Sequence, residues 1–436
     1  MNEEVLSRLR RLGVVKGARQ LRPPSVTAGV GTAMNRLATN DAPPLLEHLL
    51  PGGRVVETDD GGCFVIDRVY PVQHRHGPDA LADLLVARPD VAARYLPDSR
   101  VGLSLVSRFD FRDFLFLDTE TTGLAGAGTL AFMVGVAFFE SRPGAPEPDA
   151  FVVRQYFLRD HGDELAMLRQ LDELVASKAG LVTFNGRSFD VPLLDNRYVM
   201  NRLRSRLPDL PHIDLLPPAR RLYRARLGSC ALSALEQNLL GLRRTEEDAP
   251  GWLIPSLYYQ YLRTGDAREL TRVFYHNQMD MLSMVTLAAR IFRQLADSRC
   301  DEAMDQVSLA HWQADLGLRD LAEQSLRASL DADLPLEAYH LALHRLGELL
   351  KATGRRAEAV VVWQQIAVTS GGDVTAHVEL AKHYEWHERD IPTAVEWTQR
   401  ALTLLDRRPL TPNTRLARVE LLHRLQRLQG KLVSKQ

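Results

Sequence analysis

The sequence has few cysteines, and the three present lie far apart. Cys63, Cys230 and Cys300 belong to no CxxC pair and to no Cys/His cluster. A disulfide framework or a zinc site requires such groupings, so neither is predicted. The sequence also lacks a long hydrophobic run, because the central apolar stretch at 130–139 is about half of what a membrane-spanning helix needs.

Charge of one sign is not in excess, since 54 basic and 55 acidic residues among 436 give a formal net charge of −1. Any nucleic-acid binding must therefore come from a local basic surface rather than from bulk charge. The N-terminus has no apolar signal core. A charged fraction of 25% and a hydrophobic fraction of 45% are typical of globular proteins, so we expect a cytoplasmic protein without membrane contact.

The length predicts two or three domains. Residues 1–110 are predicted to form an N-terminal extension, in which a mobile Pro/Gly-rich linker precedes a β-hairpin at 52–72. Residues 111–297 show three strands, then helix, strand, helix, strand and a long helix, which is the order of an α/β layered domain. Asp163 is predicted to cap the first of these helices. Residues 300–436 have no strand pattern and are predicted to be all-α.

The all-α region repeats itself. Leu309, Gly317 and Ala322 recur 37 residues later, and the Leu and Ala positions recur again after 34 and 35 residues. Helix pairs of this period, with small residues at the helix crossing, resemble tetratricopeptide (TPR) repeats. We therefore expect a TPR-like domain that binds a protein partner. A helical bundle with accidental spacing is the alternative interpretation.

Two carboxylates stand together at the end of an apolar strand. Asp118 and Glu120 lie two residues apart in LDTETTGL, and strand periodicity places both on one face of the sheet. Neighbouring carboxylates repel one another unless a cation lies between them, so the pair indicates metal binding. The alternative interpretation is a polar strand end that leads into a turn.

Two further acidic residues follow, in FNGRSFDVP and FYHNQMDMLSMV. Asp190 begins a predicted helix, where a lone Asp is also typical of an N-cap. Asp280 lies in an apolar helix and needs a partner if it is buried. His276 lies four residues before Asp280 and shares its helical face, which is equally typical of a structural ion pair.

Taken together, the three segments resemble in order and setting the DEDD exonucleases, also called DnaQ-like, which have the ribonuclease H-like fold. The resemblance covers residues 118–280 and implies a 3′→5′ exonuclease that hydrolyses phosphodiester bonds of single-stranded nucleic acid. It implies that Asp118, Glu120, Asp190 and Asp280 are catalytic ligands of two divalent cations. All-oxygen ligation favours Mg²⁺ or Mn²⁺, in a two-metal-ion mechanism.

The general base departs from the family pattern. Members of the family use a Tyr four residues, or a His five residues, before the last Asp, whereas this chain has His276 and Tyr275 at the exchanged spacings. His276 is the predicted base because a neutral imidazole accepts a proton near pH 7. Tyr275 as the base, and His276 as a residue that orients Asp280, stay open.

Substrate contacts are predicted around these segments. The candidate substrate-binding residues are Thr119, Thr122, Gly123, Leu124, Asn185, Arg220 and Arg224. For the two arginines a solvated helix face is the alternative to phosphate contact. The hairpin and the segments 214–244, 250–266 and 275–283 resemble the YprB-like bacterial group of ribonuclease H-like proteins, which supplies no substrate. DNA and RNA are not distinguished, because that choice depends on a contact to the 2′-OH.

The alternative function is an inactive nuclease-fold scaffold whose helical repeats bind a protein. The complete set of four carboxylates favours the enzyme, since a scaffold would be free to lose any of them.

Overall fold

The structure is a computed structural model, and it describes residues 44–87, 91, 94–96, 110–123, 128–141, 147–409 and 411–433. The predicted N-terminal linker up to residue 43 lies outside these ranges. Within them, no helix combines the length and the hydropathy that a membrane crossing requires.

A seven-stranded mixed sheet forms the centre of the described chain. The strands are β1 (Arg54–Thr58), β2 (Gly61–Pro71), β5 (Phe114–Thr121), β6 (Ala131–Glu140), β7 (Ala150–Phe157), β8 (Gly180–Thr183) and β9 (His212–Asp214), and a separate two-stranded ribbon consists of β3 (Arg75–His76) and β4 (Asp79–Ala80). The order in the large sheet is β1-β2-β7-β6-β5-β8-β9. Strands β8 and β9 run parallel to β5, and the other pairs are antiparallel. The carboxyl ends of β5, β8 and β9 therefore lie at the same end of the sheet.

The predicted hairpin is present and belongs to this sheet. Strands β1 and β2 pair from Thr58 and Gly61 outward, and β2 also pairs along its length with β7. Phe64 and Ile66 of β2 are completely buried. The hairpin consequently widens the sheet on the side away from β9.

Helices cover both faces of the sheet. They are α1 (Glu164–Ala176), α2 (Asp190–Met200), α3 (Leu216–Leu227), α4 (Leu232–Leu239), α5 (Ile254–Thr264) and α6 (Leu270–Asp297). Leu115 and Leu117 of β5 pack in the cluster that contains α1 and α2. Phe114 and Phe116 pack in the cluster that contains residues 281–295 of α6. Since side chains alternate along a strand, the next even positions of β5 also face α6.

The start of α1 differs from the prediction. Asp163 immediately precedes the helix, but its carboxylate makes no capping hydrogen bond. It accepts instead from the backbone N–H of Arg159 at 3.0 Å and from Nε of Arg159 at 2.8 Å. The predicted cap is wrong because Asp163 has a helical backbone conformation (φ −73°, ψ −9°), whereas a capping residue is typically extended.

The C-terminal region is all-α, as predicted. Its helices are α7 (Ala303–Asp315), α8 (Arg319–Leu330), α9 (Leu336–Ala352), α10 (Arg356–Thr369), α11 (Val374–Trp386), α12 (Ile391–Asp406) and α13 (Pro412–Val433). Helices pack in consecutive pairs, α7 with α8, α9 with α10 and α11 with α12. Gly317, Gly354 and Arg389 lie in the turns within these pairs, and all three have a positive φ. The fold class is thus confirmed: an α/β sheet domain with an N-terminal hairpin, followed by an all-α region.

Helices α3 and α7 join the sheet domain to the C-terminal region. Arg226 of α3 forms an ion pair of 2.6 Å with the buried Asp305 of α7. The guanidinium of Arg221 lies over the ring of Trp312, 5.5 Å from its centroid. Leu309 and Trp312 also pack in the apolar cluster beneath α6, so the first helix of the C-terminal region completes the core of the sheet domain.

Candidate active site

Strand β5 delivers the first two carboxylates to the face covered by α6. Asp118 and Glu120 continue the alternate positions of the strand that begin with Phe114 and Phe116, so all four side chains point to the same side. Both carboxylates are partly buried. Asp118 Oδ2 accepts a hydrogen bond of 3.1 Å from Nδ2 of Asn277 on α6.

Asp190 reaches the same place from the first turn of α2. Its Oδ1 accepts from the backbone N–H of Thr119 at 3.1 Å and from the Thr119 hydroxyl. The preceding turn is held by Asp214 at the end of β9, whose carboxylate accepts from the backbone N–H groups of Asn185 and Arg187. Asn185 has φ 68°, a left-handed conformation in which Asn is better tolerated than most residues. The turn therefore fixes where α2 begins, and with it the position of Asp190.

Helix α6 supplies the remaining polar groups. Glu120, His276 and Asp280 each place one donor atom within 4.8 Å of the others. Nε2 of His276 lies 3.5 Å from Oδ2 of Asp280, as the four-residue spacing on one helical face requires. The structure thus brings Glu120, Asp280 and the predicted base together, and it places Asp118 and Asp190 near enough for the charges of the four carboxylates to affect one another.

Burial raises the pKa of all four carboxyl groups, and the charges of neighbouring carboxylates add to the shift. Burial raises the pKa of Asp118 well above its usual range, and the charges of Asp190 and Asp280 add to the effect. Burial likewise raises the pKa of Glu120 to about 7 and that of Asp190 to about 6. The pKa of Asp280 is also raised by burial, although His276 opposes the shift. A site in which several buried carboxylates disfavour their own ionisation is one in which a bound cation would be strongly stabilising.

The donor set fits a hard divalent cation. Asp118, Glu120, Asp190 and Asp280 offer carboxylate oxygens, the ligands that Mg²⁺ and Mn²⁺ prefer. Glu120 and Asp280 are close enough to each other for one ion to contact both. The described residues near them include no cysteine, because Cys63, Cys230 and Cys300 are buried elsewhere in the core. The cluster is accordingly a candidate metal centre of oxygen ligands with one imidazole beside it.

A buried charge network surrounds His276 and Asp280, and it was not predicted from the sequence. Arg244, in the loop after α4, donates to Glu236 at 2.7 and 2.8 Å and also to Asp280. Asp248 lies on its other side, 3.5 Å away. An acidic residue within an apolar helix signals that some cation must lie nearby, but the irregular segment LRRTEED gives no periodicity that selects Arg244.

Asp248 fixes the orientation of the His276 ring. Nδ1 of His276 lies 2.7 Å from Oδ1 of Asp248 and 2.9 Å from Nη1 of Arg244. A carboxylate can only accept and a guanidinium can only donate, so we assign the Nδ1 proton to the bond with Asp248. Nε2 is then directed towards Asp280.

The charges around His276 also set its affinity for protons. Burial alone would lower the pKa of His276. The hydrogen bond with Asp248 and the charge of Asp280 outweigh burial and raise this pKa to about 9. The imidazole in the metal-free arrangement is therefore a cation that offsets part of the carboxylate charge.

Asn277 is a second residue that sequence reasoning missed, although it lies within the HNQMD segment. It is completely buried, donates to Asp118 and accepts a bond of 3.0 Å from Nε2 of Gln155. Gly135 of β6 lies opposite Asp118 in the sheet, and a Cβ there would overlap the Asn277 amide. The absence of a side chain at Gly135 is what lets α6 approach the strand this closely.

We expect Gly135→Ala to destabilise the protein by about 1–3 kcal/mol, the usual cost of overpacking a core, and to displace Asn277 from Asp118. The free energy of unfolding in urea measures the first effect. Gly251→Ala is the matched control, because a Cβ at Gly251 meets open space. Equal stability of the two variants would contradict the close approach of α6 to β6.

We expect Arg244→Met to destabilise the metal-free protein by about 3–5 kcal/mol, since Glu236 and Asp280 would lose their buried counter-ion. The side chain of Glu236 is 3% exposed and has little access to solvent. Urea unfolding in EDTA measures the loss. The neighbouring Arg243 is exposed, so Arg243→Met is the control and should change stability by less than about 0.5 kcal/mol. A loss shared equally by both variants would refute the network.

The predicted substrate-binding residues are placed in different ways. The Thr119 hydroxyl already donates a hydrogen bond to Asp190. The Thr122 hydroxyl accepts a hydrogen bond of 3.0 Å from the backbone N–H of Leu130. A Cβ at Gly123 would meet only the Thr129 hydroxyl, at 3.8 Å, and Asn185 is exposed. Leu124 lies outside the described residues.

Arg220 and Arg224 are exposed on α3. Neither has a hydrogen bond or ion pair with the carboxylate cluster within the part of the chain that the structure describes. The other two arginines of this run, Arg221 and Arg226, contact α7.

Comparison with known proteins agrees with the fold. A model of the RNase_H superfamily matches residues 115–292, so the sheet domain is an RNase H-like domain of the kind typical of nucleases. The chain is also 30% identical over 379 residues to the "Uncharacterized protein YprB" of Bacillus subtilis (strain 168), an alignment that covers 84% of this chain and 86% of the relative. The chain therefore belongs to the same family as YprB.

Proposed function

We propose that the protein is a metal-dependent 3′→5′ exonuclease of the DEDD type that acts on single-stranded nucleic acid. The observation that carries the proposal is the convergence of four carboxylates from three separate segments at the carboxyl end of β5. Burial raises the pKa values of all four carboxyl groups, which supports a bound cation as the partner that would keep them ionised.

In this proposal Asp118, Glu120, Asp190 and Asp280 hold two divalent cations, Mg²⁺ or Mn²⁺. When bound, such a pair of ions activates the attacking water and stabilises the leaving oxygen of an in-line displacement at phosphorus. The chain's own residues orient these ligands: Thr119 holds Asp190 and Asn277 holds Asp118.

His276 is the proposed general base. Asp248 fixes the Nδ1 proton, so Nε2 faces the carboxylates. The charges of Asp280 and Glu120 help to raise the pKa of His276 to about 9, so the ring would present a free Nε2 lone pair near pH 7 only when bound cations offset those charges. This arrangement of a base and an orienting carboxylate suits proton abstraction from water beside the cluster.

The test uses single-stranded DNA and RNA of the same sequence, labelled at the 3′ or the 5′ end, with Mg²⁺, Mn²⁺ or EDTA. We expect labelled mononucleotides from the 3′-labelled strand and progressive shortening of the 5′-labelled strand, with no reaction in EDTA. Cleavage of a strand with a blocked 3′ end into internal fragments would favour an endonuclease. Wild-type protein that is inert on every strand with both metals would favour the scaffold.

We infer also that α7–α12 form TPR-like repeats that bind a protein partner. The support is the recurrence of buried Leu and Ala positions and of the positive-φ turn residues in all three helix pairs. A groove of about 490 Å³ between these helices is lined in part by Tyr339 and Val361, and Val361 is 62% exposed. Val361→Glu should abolish co-purification of a partner that the wild type and Arg319→Gln both retain. Identical co-purification by all three would contradict this surface.

A further inference from the structure

A second cavity lies at the free edge of β9, apart from the carboxylate cluster. It has a volume of about 300 Å³, at the lower end of the range of small-ligand sites. Residues of the NGRS turn and of α3 form one side, and Trp312 of α7 and Leu316, which follows that helix, form the other. The cavity is thus built jointly by the sheet domain and the C-terminal region.

Two guanidinium groups border this cavity, and both are held in place without a carboxylate. Nη2 of Arg187 donates to the carbonyl oxygen of His212 at 2.8 Å. Arg221 is held over the ring of Trp312. Both arginines are exposed, and neither forms an ion pair with any residue that the structure describes. Their remaining N–H groups are therefore positioned for an anionic ligand.

One acidic residue lines the cavity, and its carboxylate oxygens already accept hydrogen bonds from the backbone. Asp214 accepts three backbone hydrogen bonds, from Asn185, Arg187 and Leu216, at 2.8, 3.2 and 3.0 Å. Pro217 and Pro218 add an apolar wall beside it. The cavity thus combines cationic groups with apolar surface, which suits the phosphates, sugars and bases of a nucleic-acid strand.

The cavity is also close to the carboxylates. Strand β9 is two strands from β5 in the sheet, a distance of about 10 Å at the usual spacing between strands. Arg187 lies three residues before Asp190 in the turn that leads into α2. A nucleic-acid strand that leaves the carboxylate cluster along the carboxyl ends of β8 and β9 would pass this cavity.

We propose that the cavity binds the phosphodiester backbone of the single-stranded substrate, upstream of the nucleotide that is removed. This inference rests on the proposed nuclease function. Arg187 and Arg221 would each contact phosphate, and Trp312 would keep Arg221 in place. The C-terminal region would then form one wall of the substrate path in addition to any partner surface.

The test compares two substrates in Arg187→Gln and Arg221→Gln: a single-stranded 12-mer, which reaches the cavity, and bis(p-nitrophenyl) phosphate, which does not. We expect kcat/KM for the 12-mer to fall by about ten-fold in each variant, the effect of losing a hydrogen bond to a charged group. In each variant the slope of log KM against log salt concentration should also decrease by about one, because one phosphate contact is removed. Turnover of the small diester should stay within about two-fold of wild type.

Arg319→Gln, which removes an exposed charge from α8, is the control and should leave both substrates unaffected. Arg221→Lys keeps the charge and should recover most of the loss, which separates phosphate binding from packing on Trp312. If wild type cleaves both substrates and the two Gln variants match Arg319→Gln on the 12-mer, the inference is overturned. If wild type cleaves neither substrate with Mg²⁺ or Mn²⁺, the proposed function fails and this inference fails with it.

Discussion

Replacement of Asp118 by Asn is expected to lower the rate of metal-dependent nucleotide release by more than about 10³-fold. Asp118 is close to each of the other three carboxylates, whose charges all raise its pKa, so it lies at the centre of the cluster that we propose to bind metal. Metal ions contribute several kcal/mol to the stabilisation of such transition states, and about 4 kcal/mol corresponds to 10³-fold. Single-turnover kinetics on a 3′-labelled strand measures the loss.

Asp195→Asn is the matched control for this substitution. Asp195 lies on the same helix as Asp190 but lines a different cavity, so the variant should keep wild-type activity. Asn at position 118 is isosteric with Asp and relieves charge repulsion, so the variant should unfold at the same or a higher urea concentration. Retention of more than about a tenth of wild-type activity by a folded Asp118→Asn protein would refute its place in the metal centre.

Replacement of His276 by Ala is expected to slow turnover by about 10²–10⁴-fold, the range typical of losing a general base. The geometry behind this expectation is the bond from Nδ1 to Asp248, which leaves Nε2 directed at the carboxylates. Rapid-quench measurement of the first turnover separates the chemical step from product release. Binding of the 12-mer should change by less than about three-fold.

Tyr275→Phe distinguishes the two candidates for the base, because it removes the phenol and keeps the ring. We expect this variant to retain full activity. If Tyr275→Phe loses activity and His276→Ala keeps it, the base is Tyr275. If His276→Ala instead weakens metal affinity in step with its loss of rate, His276 acts by orienting Asp280.

Much of the fold follows from local patterns in the sequence. Alternation and apolar runs predict β5, β6 and β7, and the long apolar stripe predicts α6. Local patterns do not predict which strand pairs with β2. Its pairing with β7 joins residues about ninety positions apart and depends on which edge of the sheet is free. Asp163 shows the same limit, since its preference for Arg159 over a helix cap depends on where a neighbouring side chain points.

The candidate site divides in a similar way. The four carboxylates and His276 stand in short segments whose order and setting predict that they meet. Arg244, Glu236 and Asp248 come from a loop and a helix with no motif, and only their packing around Asp280 gives them a role. Asn277 was visible as a polar residue on an apolar helix, but its contact with Asp118 depends on the bare backbone at Gly135.

The central claim is that the four carboxylates form a metal centre, and Mn²⁺ binding followed by electron paramagnetic resonance tests it without any assumption about substrate. We predict that wild-type protein binds two Mn²⁺ ions per chain and that Asp118→Asn loses at least one of them. Mg²⁺ should compete for the same sites, since both ions prefer oxygen ligands. Absence of Mn²⁺ binding to the wild type, or identical binding by Asp118→Asn, would contradict the account.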